Sequence, residues 1–253
     1  AGARGVGAPV RTAAELTDGA ATDVEQVAVH FWIPLGLALA FVYGCVAALG
    51  WWRPVFRDDQ PVQRWVWAVP IIFLVGIALT INYPQLADNG IAFTLALLLA
   101  TQFVGWGEEG MFRGIGVTAL RDRGLTEGKV ALWSSVIFGA VHLSNAFGRG
   151  AGAVPQALIV SLAGYFFYLT RRVSKGNVVN SVIHGLFDFA LLSVSAIAID
   201  QEAYLGMVAA LLVYPIVLVV VFVRRHQIEL PAPSEVRRPH ASVAKDSTPE
   251  PEG

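Results

Sequence analysis

Ionisable side chains lie inside three of the most apolar stretches of this sequence. One stretch reads GEEGMFRG at 107–114, directly after the apolar run IAFTLALLLATQFVGW. The ionisable residues of the three stretches are Glu108, Glu109, Arg113, His142, His184 and Asp188. A charged group is costly in hydrocarbon, so such residues are expected to face a bundle interior or a wet cavity and to pair with one another.

Two hydrolytic chemistries suit carboxylates and histidines gathered in one site. In the first, a glutamate takes a proton from water, a histidine holds that water, and other polar groups stabilise the oxyanion. In the second, histidines and carboxylates bind Zn²⁺ and leave one position for water. The zinc ligands would be Glu108, His142, His184 and Asp188. The cofactor is therefore predicted to be either none or Zn²⁺.

Helical spacing assigns these residues to faces. His184 and Asp188 are four residues apart and share one face of a helix. Glu109 and Arg113 have the spacing of an ion pair within one helix. Glu108 projects about 100° away from Glu109, so the two glutamates need not do the same job.

The polar residues also lie at similar depths. Glu108 precedes Arg121 by 13 residues and His142 follows Lys129 by 13 residues, about 20 Å in each case at 1.5 Å per residue. Phe138 shares a helix face with His142 and is expected to be a core side chain that walls the site. The spacing therefore predicts that separate helices bring their polar groups to one level.

The elements that position these residues are predicted from composition. Hydrophobic residues make up 55% of the 253 positions, charged residues only 15%, and the mean hydropathy is +0.57. Soluble domains carry about 25% charged residues. Apolar runs long enough to cross a hydrocarbon core lie roughly at 30–50, 65–82, 91–112, 130–147, 154–172, 178–199 and 204–223. We therefore predict an all-α polytopic membrane helical bundle with about seven transmembrane helices.

Basic residues predict the orientation of this bundle. With seven spans, most loop cations fall on one side, namely Arg53, Arg57, Arg64, Arg121, Arg123, Lys129, Arg171, Arg172, Lys175, Arg224 and Arg225. The other side receives Arg4, Arg11 and Arg149. The positive-inside rule then places the N-terminus outside and the C-terminus in the cytoplasm.

Three parts are expected along the chain. Residues 1–27 are predicted to be a flexible head, 28–225 a membrane domain, and 226–253 a polar, proline-rich, disordered cytoplasmic tail. The net charge of −1 gives no indication of a nucleic-acid partner. The single cysteine, Cys45, excludes an intrachain disulfide.

Three motifs occur in order on separate predicted helices. EExxxR lies at 108–113, FxxxH at 138–142 and HxxxD at 184–188. In this order and at matching depth they resemble the CPBP family of intramembrane proteases, also called the CAAX protease and bacteriocin-processing, or ABI, family. The resemblance covers about residues 90–195, the motif core, and makes 28–225 an intramembrane protease domain.

The resemblance implies catalytic roles. Glu108 would activate water together with His142, while His184 and Asp188 would complete the site and steady the oxyanion. Two further residues, Glu109 and Arg113, would support the helix or the substrate.

One position departs from the pattern of the prenyl-protein branch of the family. That branch typically has Asn where this chain has Asp188, and an ionised aspartate cannot donate a hydrogen bond to an oxyanion. Asp188 would have to be protonated, orient His184, or bind metal. Both metal-dependent and metal-free glutamic mechanisms have been described for the family.

The sequence thus predicts a multi-pass protein of the plasma membrane with its site facing the cytoplasm. Its activity would be that of an intramembrane endopeptidase, and its partners would be the lipid bilayer and a membrane-anchored, lipidated or amphipathic peptide or protein substrate. One alternative is a non-catalytic relative that acts as an immunity or scaffold protein. Another is a proton-coupled transporter, which the absence of internal sequence repeats disfavours.

Overall fold

The computed structural model describes residues 21, 23–195 and 204–229, and these residues are almost entirely helical. The helices are α1 Val24–Leu49, α2 Trp52–Phe56, α3 Arg64–Thr80, α4 Tyr83–Asp122, α5 Glu127–Val141, α6 Ala153–Val173, α7 Asn177–Ser193 and α8 Gly206–Arg224. Within the described ranges the only strand-like pairing is an isolated bridge between Val62 and Glu229. The predicted all-α class is therefore confirmed.

Four helical segments are long and apolar enough to cross a membrane by length and composition. They are Val24–Leu49, Tyr83–Asp122, Gly150–Val173 and Gly206–Gln227, and the shorter apolar segment Arg64–Thr80 accompanies them. The seven-span count and the orientation of the termini stay predictions. Residues 1–20 and 22 of the predicted head, and 230–253 of the predicted tail, lie outside the described residues.

Glycine at the crossing of α4 and α7 lets the two backbones touch. A Cβ atom at Gly105 would lie 2.4 Å from the Ser181 carbonyl oxygen and 2.5 Å from the Gly185 amide nitrogen. A Cβ atom at Gly185 would lie 2.8 Å from the Thr101 carbonyl oxygen. Because neither position accepts a side chain, the point at which α4 and α7 cross is fixed about one turn N-terminal to Glu108. The polar face of α7 therefore meets the polar segment of α4.

The long helix α4 contains two departures from regular α-helix. Gly90 has φ +83° and ψ 165°, a conformation that favours glycine, and the helix kinks there. Further along, Glu109–Gly116 is a π-helical segment. Such i→i+5 turns occur frequently at functional sites, and this one begins inside the EExxxR motif.

The apolar run at 130–147 does not form one continuous α-helix. Helix α5 ends at Val141, and single turns follow at His142–Asn145, Ala146–Arg149 and Gly150–Gly152. At the break, the His142 backbone N–H donates to the Gly139 carbonyl, while His142 Nδ1 lies 2.9 Å from the Phe138 carbonyl oxygen. The imidazole thus takes the acceptor that a continuing α-helix would use.

A cluster of ion pairs ties the helices together at the end of the bundle that carries most of the basic loop residues. The side chain of Asp58 is fully buried and accepts hydrogen bonds from Arg171 Nε and Arg121 Nη1, each at 2.9 Å. Arg121 also donates to both carboxylate oxygens of Glu127 at 2.8 Å. Three backbone carbonyls accept from Arg171, those of Pro54, Val55 and Arg57. The cluster joins α2, α4, α5 and α6.

At the same end, the segment after α8 folds back onto the bundle. Trp65 Nε1 donates to the Gln227 carbonyl at 2.6 Å, and the Gln63 backbone N–H donates to the Ile228 carbonyl at 2.9 Å. Arg172 forms a two-pronged ion pair with Glu229, at 2.7 and 2.8 Å. The first residues beyond α8 are therefore held against α3 and α6.

Loss of the Asp58 carboxylate is expected to destabilise the protein. Burial alone would raise the pKa of Asp58, but the Arg171 and Arg121 guanidinium groups hold that pKa below its ordinary value. Asp58→Asn leaves the buried Arg171 without its anion and removes one of the two carboxylates that pair with Arg121, a loss of about 3–5 kcal/mol. The midpoint of thermal unfolding in detergent measures this loss of stability.

The matched control is Asp59→Asn, because Asp59 is exposed and lies 3.7 Å from the equally exposed Arg53. Its effect is expected to be about 0–1 kcal/mol. Since the folded-state pKa of Asp58 is depressed, its contribution is present above the unfolded value of about 3.9. The contribution is lost as the pH falls through the folded value. Equal unfolding midpoints for the two variants would contradict the assignment.

Candidate active site

A buried carboxylate forms the centre of the site. Glu109 Oε1 accepts a hydrogen bond from Arg113 Nη1 at 2.9 Å and lies 2.8 Å from His184 Nδ1. Glu109 Oε2 accepts from the Asn180 amide nitrogen. Glu109, Arg113 and Asn180 are fully buried and His184 is nearly so. The predicted Glu109–Arg113 pair is confirmed, and it is part of a network that joins α4 to α7.

The contact with Glu109 sets the proton arrangement of His184. An ionised carboxylate only accepts hydrogen bonds, so His184 Nδ1 carries a hydrogen and donates it to Glu109. The other ring nitrogen, Nε2, lies 3.7 Å from Glu108 Oε2 and 3.7 Å from Asp188 Oδ2. The imidazole therefore points its free nitrogen at two further carboxylates.

Two aromatic side chains pack against the His184 ring. Phe167 stacks on it with ring centroids 4.4 Å apart and an interplanar angle of 16°. Phe138 meets it edge-on, with centroids 6.0 Å apart and an interplanar angle of 89°. Phe138 and Phe167 thus leave the His184 ring little freedom to rotate.

His142 also packs against Phe138. Its ring meets Phe138 edge-on at a centroid distance of 4.9 Å. Because the Phe138 carbonyl oxygen only accepts, His142 Nδ1 carries a hydrogen, and Nε2 is left as an acceptor. In the described part of the chain no hydrogen bond or ion pair joins His142 to Glu108.

The two glutamates differ in exposure. The side chain of Glu108 is 31% exposed and that of Asp188 is 25% exposed, whereas Glu109 is fully buried. Asp188 also borders a small cavity of about 190 Å³ between α1, α4 and α7. Glu108 and Asp188 can therefore meet water or a substrate, and Glu109 can reach only its protein partners.

The Arg113 side chain is accommodated by aromatic rings and by a glycine. Its guanidinium carbon lies 4.0 Å above the Phe138 ring and 5.7 Å from the centroid of Phe167. A Cβ atom at Gly164 would lie 2.8 Å from Arg113 Nη2. Nε and Nη2 of Arg113 have no hydrogen-bond partner among the described residues, so the cation–π contact replaces those bonds.

Three contributors to the site were not among the predicted site residues. Phe167 and Gly164 lie on α6, which carries none of the three motifs. The only sequence signal for their roles was the position of Gly164 in the middle of a helix. Asn180 precedes His184 by four residues, so helical spacing places both on one face, and this was the available signal for its role.

The described side chains were compared with the ligand set that zinc would need. Among residues 21, 23–195 and 204–229, no group of three or more His, Cys, Asp or Glu side chains is arranged closely enough to hold a metal ion. As arranged, the predicted ligand set Glu108, His142, His184 and Asp188 does not fit zinc. The zinc alternative stays a prediction, and the chemistry below is derived from the side chains alone.

Comparison with known proteins adds one match. Residues 90–190 match a family model described as type II CAAX prenyl endopeptidase Rce1-like. This segment contains the EExxxR, FxxxH and HxxxD motifs and thus every residue of the network above. No curated protein and no solved structure matches the chain.

The match agrees with the resemblance carried by the motifs. The matched family is a family of proteases, and its hydrolytic class agrees with a site built from carboxylates and histidines. The apolar helices and the family together indicate an integral membrane protein. Residues 90–190 are therefore similar to the Rce1-like family of type II CAAX prenyl endopeptidases, in line with the resemblance that the motifs carry.

Proposed function

We propose that the protein is an intramembrane endopeptidase that hydrolyses a peptide bond of a membrane-anchored, lipidated or amphipathic substrate. One observation carries the proposal. A buried carboxylate fixes His184 so that its second nitrogen lies 3.7 Å from each of two partly exposed carboxylates, Glu108 and Asp188. The family match over these residues supports a CAAX-type peptidase activity.

The site is proposed to open toward the cytoplasm from within the plasma membrane. Glu108 lies 13 residues before Arg121 in helix α4, about 20 Å along its axis. The end of the bundle that holds Arg121 also holds Arg171, Arg172 and Arg224, as the positive-inside rule expects of a cytoplasmic face. A seven-span topology keeps all of these cations on one side.

Glu108 is proposed to be the general base. Its partial exposure lets it accept a proton from a water molecule, whose oxygen bonds to the substrate carbonyl carbon while the C=O π electrons move to the oxygen. When the tetrahedral intermediate collapses, the C–N bond breaks and Glu108 returns the proton to the departing amine. His142 supports the step by accepting a hydrogen bond from the same water at Nε2.

His184 is proposed to stabilise the oxyanion. With a second proton on Nε2, its ring donates to the oxyanion from a position that Glu109 and two aromatic rings have fixed in advance. Asp188, whose ionised carboxylate cannot donate, contributes its negative charge 3.7 Å from Nε2 and so favours the imidazolium form. This role accounts for aspartate at a position where the prenyl-protein branch typically has asparagine.

Replacing the proposed base is expected to stop cleavage without unfolding the protein. Glu108→Gln keeps the side-chain shape but accepts no proton, so the rate of cleavage should fall by about 10²–10⁴-fold. Purified protein in liposomes and a quenched fluorescent lipidated peptide provide the assay. A chelator is expected to leave the wild-type rate unchanged.

Two results would count against this mechanism. Full activity of Glu108→Gln would remove the residue from the chemistry and favour another base. Loss of wild-type activity with a chelator, restored by Zn²⁺, would favour the zinc alternative.

The neighbouring glutamate is expected to respond differently. Glu109→Gln leaves the buried Arg113 cation without its anion, and removing one partner of a buried pair costs about 3–5 kcal/mol. The unfolding midpoint of Glu109→Gln should therefore fall well below that of Glu108→Gln, whose partly exposed carboxylate lies 3.7 Å from His184 Nε2. Thermal unfolding of both variants in one detergent tests this prediction. Equal midpoints would contradict it, because they would show that the two carboxylates contribute equally to stability.

A further inference from the structure

A second cavity lies away from the candidate active site. It has a volume of about 710 Å³ and runs between α5 and α6 toward the segment that follows α8. None of Glu108, His142, His184 or Asp188 lines it. We call it the α5–α6 groove.

The walls of the groove are aliphatic and open to the side of the bundle. Leu132 and Val136 line it from α5 and Leu162 from α6. These side chains are 56%, 41% and 39% exposed. When a helical bundle spans a membrane, the large apolar side chains on its lateral surface contact hydrocarbon. The groove is thus continuous with the bilayer and suits an extended hydrocarbon chain.

One end of the groove is polar and carries a cation. Glu127 there is neutralised by Arg121, and Glu229 by Arg172. The exposed Arg225 guanidinium donates to the Phe222 carbonyl at 2.7 Å and lies 4.2 Å from the Phe222 ring centroid. Within the described ranges no carboxylate pairs with Arg225, so its charge is left for a bound anion.

We propose that the α5–α6 groove binds an anionic glycerophospholipid, with one acyl chain between α5 and α6 and the phosphate group at Arg225. The chemistry of the ligand follows from the two ends of the groove. Because lipid tails are as apolar as the groove walls, contact with an acyl chain gives little selectivity among lipids. The cationic end of the groove supplies that selectivity. Basic pockets between transmembrane helices at the cytoplasmic face bind anionic head groups in this way.

Lipid binding by purified protein tests the proposal without any measurement of proteolysis. Native mass spectrometry of delipidated protein, titrated with equal amounts of dioleoyl phosphatidylglycerol and dioleoyl phosphatidylcholine, reports the preference at a one-to-one stoichiometry. The expected preference for phosphatidylglycerol is about fivefold, the effect of one basic residue near the surface.

Two pairs of variants make the test specific. Arg225→Gln should abolish the preference, and Arg224→Gln should keep it, because Arg224 lies over the Trp65 ring and does not line the groove. Leu162→Trp fills the groove and should reduce one-to-one binding of both lipids. Leu158→Trp, one turn away on α6, 66% exposed and outside the groove, should leave binding unchanged.

Three outcomes would overturn the proposal. Equal binding of the two lipids by the wild type would remove the role of Arg225. Equal effects of Leu162→Trp and Leu158→Trp would show that lipid binds outside the groove. Displacement of phosphatidylglycerol by an isoprenylated peptide, with loss of peptide binding in Leu162→Trp, would make the groove a substrate site. Because Arg225 is exposed, Arg225→Gln is expected to fold. This variant keeps the test decisive even if Leu162→Trp fails to fold.

Discussion

The Glu109 carboxylate accepts hydrogen bonds from three nearly or fully buried partners, and the rest of the site takes its geometry from these bonds. A buried carboxylate is tolerated only when its oxygens are bonded and its charge is paired. Arg113 supplies the charge from the same helix, while Asn180 and His184 supply donors from α7. Without the carboxylate, the arginine would be an unpaired buried cation, and His184 would lose the contact that sets its proton and its direction.

The fold makes this network possible at two places. Gly105 and Gly185 let the backbones of α4 and α7 touch, so side chains one turn away are close enough to bond across the helices. Gly164 leaves room for Arg113 between α6 and the Phe138 ring. At the end of the bundle, Asp58 binds Arg121 of α4 and Arg171 of α6. Helices α4 and α6 are therefore also held together outside the site. The interior polar groups therefore depend on close packing that only small residues permit.

Local features of the site could be predicted from the sequence. The Glu109–Arg113 pair and the shared face of His184 and Asp188 follow from the helical period alone, and the different exposures of Glu108 and Glu109 follow from their angular separation. The all-α class followed from composition and apolar runs. These features depend on residues close together in sequence.

Other features required the tertiary structure. The break of α5 at His142 depends on an imidazole that competes for the Phe138 carbonyl, and no periodicity records such competition. Phe167 and Gly164 reach the site from α6, which has no motif, so their roles appear only when α6 packs against α4. The basic residues that indicated orientation include Arg121 and Arg171, whose buried pairing with Asp58 depends on contacts across more than 60 positions.

The proton arrangement of His184 tests the central claim most directly. The protein would be labelled with ¹⁵N-histidine, reconstituted in lipid, and its His184 resonances assigned with a His184→Gln variant. The account predicts a hydrogen on Nδ1 in a strong bond to a carboxylate, and loss of that bond in Glu109→Gln. A neutral ring protonated at Nε2 alone, or an Nδ1 signal unchanged in Glu109→Gln, would contradict it.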